Sequence, residues 1–217
     1  MTTLETGTGF CFPTHQLSIR PVSAVIELGA LPDIIHTALN AVHHANRHGA
    51  PNDRIAIALP DMHVQRGVAR SGSEIVLFGS QAALDRYLAL EGVQRLARRA
   101  MLTDPEVLES MGQPGERGTA YIRDRQAARR SPGAVRRARA RAERRGVQFS
   151  DEIETKSASH AILALHFGSA VVHVREIEAE VPDGRLSIGT YGFSSISAPA
   201  VLPILPDRST RSLHNAA

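Results

Sequence analysis

From His15 to Val22 apolar Leu17 and Ile19 alternate with polar neighbours and the run closes at Pro21, which is the period of a half-buried strand. The period then changes. Asp33 is placed to cap a helix in which Ile34, Ile35, Ala38, Leu39 and Val42 recur at helical spacing, with Gly49 and Pro51 closing it. Arg54 to Pro60 (RIAIALP) and Glu74 to Gly79 (EIVLFG) are short apolar runs that predict buried strands, joined by a loop carrying Gly67 and Gly72. Ala82, Ala83, Leu84, Tyr87 and Leu88 predict a second amphipathic helix, and Val93 to Leu102 has a mixed pattern. One more strand near Met101 to Leu108 completes the order strand, helix, strand, strand, helix, strand, that of a split βαβ, ferredoxin-like unit. The fold class expected is therefore α+β.

The second half is patterned differently. A polar, Gly-rich interval from Gly112 to Gly118 marks the boundary. Beyond it, Ser131 and Pro132 read as the cap and first position of a helix to Arg145, with Ala134, Ala138, Ala140 and Ala142 as helix formers and Gly146 as terminator. Ala161 to Phe167 and Ala170 to Ile177 are two apolar runs separated only by Gly168 and Ser169, a tight β-hairpin. Arg185 to Phe193 predicts a further strand after the Pro182, Asp183, Gly184 turn. Met1 to Pro13 carry little pattern. The division expected is a tail over 1–14, a ferredoxin-like domain over 15–112, a domain with an arginine-rich helix and a β-hairpin over 113–206, and a tail over 207–217.

Charge changes this picture at one place. Arg123, Arg125, Arg129, Arg130, Arg136, Arg137, Arg139, Arg141, Arg144 and Arg145 stand against only Asp124 and Glu143, although the whole chain carries a formal charge of just +3. The helix within this stretch has almost no large apolar residue to bury. A solvated helix face normally interleaves Glu at i, i+4 with its basic residues, and here Glu143 alone does so. The stretch predicts binding to a nucleic-acid backbone, and the planar arginine fork suits phosphate or guanine. The major groove of regular A-form RNA excludes most side chains, so an RNA target would be a hairpin whose groove opens near its end.

Composition narrows the classes further. Aromatic residues are 4% of the chain with no Trp, which argues against a platform stacking several bases of a single strand. A lone cysteine, Cys11, excludes an internal disulfide and a cysteine-based zinc site. No apolar run approaches the ~20 residues that span a bilayer, and the first residues lack a basic secretory n-region. A cytoplasmic protein is expected, with no membrane partner.

Candidate chemistry is sparse. His36, His43, His44 and His48 share one predicted helix. His44 and His48 have the i, i+4 spacing of metal ligands without a third ligand or an HExxH motif, so a polar helix face is the plainer reading. His36 lies near the helix start, where the macrodipole favours a neutral imidazole able to act as a base. Ser157, Ser159, Ser169, Ser194, Ser195 and Ser197 lie in no G-x-S-x-G elbow. Neither the Gly7, Gly9 pair nor Gly189 to Gly192 forms a phosphate loop, and nucleotide triphosphate binding is excluded.

Four segments, in order, resemble the CRISPR repeat-specific endoribonuclease of type I-F systems. They are IIHTALNAV followed by DRIAIALPD, similar to the family's His-bearing helix and DRIGVSFPD-like strand; the arginine helix with RRGVQF behind it; the β-hairpin; and TYGFS at Thr190 to Ser194, similar to the family's YGLS signature. Together they cover most of His15 to Pro206. The resemblance implies a metal-independent and cofactor-free endoribonuclease that binds a CRISPR repeat stem-loop, cuts precursor crRNA at the 3′ foot of the hairpin and stays on its product within a surveillance complex. It implies His36 as the base that takes the 2′-hydroxyl proton, giving a 2′,3′-cyclic phosphate, and Tyr191 as an active-site tyrosine. The family's S-x-S-T loop is shortened here to HFGSA, which leaves Ser169 as the first and Ser157 as the second candidate for its assisting serine, with Phe167 at the matching strand position and His166 nearby. Where the family reads the base of the stem with an Arg and a Gln two apart, Arg125 and Gln126 are adjacent here. A non-cleaving RNA-hairpin binding subunit is the alternative reading.

Overall fold

The computed structural model describes residues 7–66, 68–110, 113–125, 132–147 and 162–203. Its mixed α/β architecture contains, among those residues, five helices and several antiparallel sheets. In chain order the elements of the first half are β1 (Thr8–Cys11), β2 (His15–Ile19), α1 (Ser23–Glu27), α2 (Leu31–His48), β3 (Ala56–Ala58), β4 (His63–Gln65), β5 (Val68–Arg70), β6 (Ile75–Gly79), α3 (Gln81–Leu88), α4 (Glu91–Arg98) and β7 (Val107–Glu109). They are followed by β8 (Arg117–Arg123), α5 (Pro132–Arg144), β9 (Leu163–Phe167), β10 (Ala170–Glu180), β11 (Leu186–Gly189) and β12 (Val201–Pro203).

The first four-stranded sheet has the order β3-β6-β2-β7, antiparallel throughout. Its register aligns Ile57 with Leu77 and Leu77 with Leu17, and residues opposite one another share a face. Those three side chains are buried. α3 packs on this sheet against β6 and β2, and α2, whose Ile34, Ile35, Ala38, Leu39, Val42 and Ala45 are buried at helical spacing, joins the same buried cluster. Burying a side chain such as Leu39 contributes roughly 1.5–3 kcal/mol.

The helix starts earlier than its sequence suggests. Leu31 and Pro32 open it after Ala30, which makes no side-chain cap, so Asp33 is an acidic residue of the first turn and not the cap. Pro tolerates that place because the first-turn N–H groups have no partner within the helix. The far end is pinned by Asn46, 2% exposed, whose Nδ2 donates to the Ile55 carbonyl at 2.9 Å while its Oδ1 accepts from the Ile55 N–H at 2.8 Å. At α3, Ser80 caps by accepting from the Ala83 N–H, and Asp53 ties this corner to Arg86 at 3.0 Å.

A second sheet has the order β12-β8-β10-β9. β8 starts inside the interval read as an interdomain break. Its alternation buries Gly118, Ala120 and Ile122, with Tyr121 also buried, between β12 and β10. The hairpin β9 to β10 is turned by Gly168 and Ser169, with Gly168 at φ 57°, a conformation glycine adopts without a side-chain penalty. β1, read as part of a patternless tail, pairs antiparallel with β11. Cys11 is buried there and burial pushes its thiol up to about 12. The β4 to β5 hairpin lies in what the sequence presents as a plain loop. A single buried cluster runs from Leu17, Leu39 and Ile57 through Tyr121, Leu165, Phe167 and Val174 to Ile188. Among the described residues no helix is long and apolar enough to cross a membrane.

Candidate active site and nucleic-acid interface

The end of the β9 to β10 hairpin meets the solvent edge of α2. Two histidines of that edge receive it. His36 and His43 are seven residues apart, two helical turns or about 10.5 Å along the axis, and therefore lie on nearly one side of the helix. Each flanks the buried stripe and is half-buried, whereas His44 and His48 are exposed.

His36 holds the hairpin turn. Its Nε2 lies 3.2 Å from the Gly168 backbone N–H and 3.0 Å from Asn40 Nδ2. A backbone N–H only donates, so Nε2 must be the unprotonated nitrogen. That lone pair is engaged. Ser169, next along, is exposed at the turn, so the structure does bring His36 and the Gly168–Ser169 turn together.

Tyr191 is placed elsewhere, against His43. The two rings stack at 4.3 Å with 7° between their planes, and His43 Nδ1 lies 3.2 Å from the Thr190 carbonyl oxygen. A carbonyl only accepts, so Nδ1 carries the hydrogen and Nε2 presents the lone pair. Burial of the ring lowers its pKa from the ordinary imidazole value; the Thr190 bond opposes this, and Arg47, His44 and His48 add to the lowering. His43 is thus held as a neutral base. Its neighbours in sequence do not announce the Tyr191 contact. The available signal is that positions 36 and 43 share an edge of the apolar stripe while 44 and 48 do not.

Tyr191 is presented by a tight turn. The Gly192 N–H bonds the Gly189 carbonyl at 3.0 Å, and the Gly189 N–H bonds the Phe193 carbonyl at 2.9 Å. Gly192 has φ 81°, and a Cβ there would lie 2.6 Å from Ile57 Cγ1, while the Gly192 carbonyl accepts from the Ile57 N–H at 2.9 Å. Glycine alone permits that approach to β3. Phe167 packs edge-on against Tyr191 at 4.9 Å and against His43 at 6.3 Å. Phe167 thus supplies an apolar wall beside both rings. Arg123, the last residue of β8, places its guanidinium carbon 4.9 Å from the centre of the Tyr191 ring.

The arginine helix α5 exposes Arg136, Arg137, Arg139, Arg141 and Arg144, and Arg145 follows in the closing turn, also exposed. Val135, Ala138 and Ala142 are half-buried at i, i+3 and i+7, a narrow apolar stripe beneath a cationic surface. Gly146 ends the helix at φ 64°. Arg125 is exposed just after β8. Gln126, Arg129, Arg130, Ser131 and Ser157 lie outside the described residues. His44 and His48 are 4.5 Å apart between ring centres, and among the described residues no cluster of three His, Cys, Asp or Glu could hold a metal ion.

No protein-family model matches the chain, and no curated protein matches its sequence.

Proposed function

We propose that the protein is an endoribonuclease of the type I-F CRISPR repeat-processing kind, which binds a repeat stem-loop and cuts precursor crRNA at the 3′ foot of the hairpin. The observation that carries this reading is the His43 imidazole, fixed with Nδ1–H on the Thr190 carbonyl and Nε2 free of any partner among the described residues, stacked on Tyr191. His43 Nε2 accepts the proton of a ribose 2′-hydroxyl and the 2′-oxygen attacks the adjacent phosphorus. The bond to the 5′-oxygen breaks, and that oxygen takes a proton from water. The products are a 2′,3′-cyclic phosphate and a 5′-hydroxyl. The nucleophile belongs to the substrate, so orientation and one base suffice, without metal or cofactor.

His36, the base implied by the resemblance, has its Nε2 occupied by Gly168 and must release the hairpin turn before it can take a proton. We assign it the task of holding that turn, with Ser169 beside the substrate. The strand order β3-β6-β2-β7 with α2 and α3 in the crossovers supports a ferredoxin-like first half. Arg136, Arg137, Arg139, Arg141, Arg144 and Arg145 supply phosphate contacts along the stem, with Arg125, Gln126, Arg129 and Arg130 toward its base. In this reading the protein works in the cytoplasm and remains on the crRNA as a subunit of a surveillance complex.

The second reading, a non-cleaving hairpin-binding subunit, draws on Phe167 standing where the family has a serine. Incubation with synthetic type I-F repeat stem-loops, with and without a chelator, separates the two. A product ending in 2′,3′-cyclic phosphate, formed equally in chelator and abolished by a 2′-deoxy nucleotide before the cut, is the expected result. Tight binding without cleavage identifies the subunit, and equal affinity for the DNA hairpin overturns both.

A further inference from the structure

Arg123 belongs by sequence to the run that should grip the stem, yet its guanidinium lies over the ring that stacks on His43. Its main chain is fixed on both sides: the Arg123 N–H donates to the Ser194 carbonyl at 2.9 Å, and the Asp124 N–H to the His173 carbonyl at 2.7 Å. Its Cα is paired with Val174 in the sheet. The side chain is half-buried, and no carboxylate among the described residues lies within ion-pair distance of it; the two described ion pairs are Arg20 with Glu74 and Arg86 with Asp53. A half-buried guanidinium without a counter-charge among the described residues, on a hydrogen-bonded strand end beside a neutral base, is matched to an anion that arrives with the substrate.

Distances allow one particular anion. The contacts of Tyr191 with His43 and with Arg123 set an upper limit of about 9 Å between the imidazole centre and the guanidinium carbon. A 2′-oxygen about 3 Å from the base nitrogen, a phosphorus about 3 Å beyond it in a near-attack pose, and a guanidinium on its non-bridging oxygens about 4 Å further span a path of that order. We infer that Arg123 is a catalytic residue for RNA cleavage: it binds the non-bridging oxygens of the scissile phosphate and stabilises the charge they gain as the 2′-oxygen attacks.

This inference rests on the endoribonuclease reading and adds to it the separation of Arg123 from the stem-gripping arginines. Those hold charge that is the same before and during reaction and so contribute to binding. Arg123 faces charge that grows in the transition state and so contributes to the rate at saturation. The covalent steps remain as given above: the 2′-proton goes to His43, the new bond joins the 2′-oxygen to phosphorus, and the departing 5′-oxygen is protonated by water.

The test uses the full-length protein in excess over a synthetic type I-F repeat stem-loop RNA that the wild type cleaves. The scissile linkage is prepared as phosphate and as each of its two phosphorothioate diastereomers. Arg123→Gln is expected to slow cleavage at saturating enzyme roughly 10²- to 10³-fold, while the Kd changes by less than about 5-fold. Arg123→Lys is expected to recover part of the loss. One phosphorothioate is expected to slow the wild type and to slow Arg123→Gln no further, because the contact it weakens is already gone. A merely structural role would leave that sulfur effect equal in both proteins, which overturns the inference. So does a weakened Kd with an unchanged rate at saturation, which would return Arg123 to the stem. If Arg123→Gln does not fold, Arg123→Lys carries the same sulfur comparison. Failure of the wild type to cleave any such stem-loop overturns the underlying reading, and this inference with it.

Discussion

Replacing Gly192 by alanine tests the device that presents Tyr191. Two penalties combine there. At φ 81° an L side chain is strained, by roughly 1–2 kcal/mol. In addition, the new Cβ would stand 2.6 Å from Ile57 Cγ1 and 2.7 Å from Ile57 Cδ1, with the Ile55 carbonyl oxygen at 3.3 Å. Ile57 is fully packed in β3, so relief requires movement of the turn or of the core, an overpacking penalty of about 1–3 kcal/mol. The total is on the order of 2–5 kcal/mol, which for a chain of this size lowers Tm by roughly 5–15 °C. Gly184→Ala is the control, because Gly184 has a similar φ of 85° with nothing within 4 Å of the added atom. Thermal melts followed by circular dichroism should therefore show Gly192→Ala well below Gly184→Ala, and Gly184→Ala slightly below wild type. Equal melting of the two variants would refute the claim that close approach to Ile57, and not backbone conformation alone, fixes the turn.

Other expectations follow from the same contacts. Asn46→Ala leaves the buried N–H and carbonyl of Ile55 without partners and should destabilise the fold by roughly 2–4 kcal/mol in urea titration. Because His43 has a lowered pKa in the folded state, the unfolded chain binds the extra proton first; stability should be full above the ordinary value of about 6.5 and decline as pH falls through the depressed value. Replacing His43 by Asn should flatten that part of the profile. Changing Arg137, Arg141 and Arg144 together to Gln should weaken stem-loop binding and reduce the slope of log K against log salt by about 2, measured by filter binding across a salt series.

Local pattern made α2, the β9 to β10 hairpin and α5 legible, because each carries its own period and its own turn residues. The sequence hid what depends on distant partners. Thr8–Cys11 has no alternation strong enough to announce a strand, and becomes one by pairing with Leu186–Gly189. Arg117–Arg123 hid behind Gly115 and Gly118, since two of its buried inward positions, Gly118 and Ala120, are small and the strand is recognised only by the sheet that closes over it. Helix-start rules chose Asp33 where Pro32 and Leu31 already sufficed. For the candidate site, Tyr191, His36 and Ser169 come from the family resemblance and the arginines from charge; the structure puts His36 at the Gly168–Ser169 turn and Tyr191 against His43. His43 stayed among the surface histidines because its distinction is tertiary: a carbonyl from 147 residues away fixes its tautomer, and the ring of Tyr191 covers it. Arg123 was read as one charge among ten for the same reason.

The most direct measurement of the central claim is single-turnover cleavage of a repeat stem-loop by His43→Ala and His36→Ala side by side, with binding measured on the same preparations. If His43 is the base, His43→Ala should lose roughly 10²- to 10⁴-fold in rate at saturating enzyme with its Kd unchanged, and raising the pH should not restore it. His36→Ala should lose less, in proportion to how far the hairpin turn drifts without its tether. A His43→Ala protein that cleaves at the wild-type rate would contradict the account.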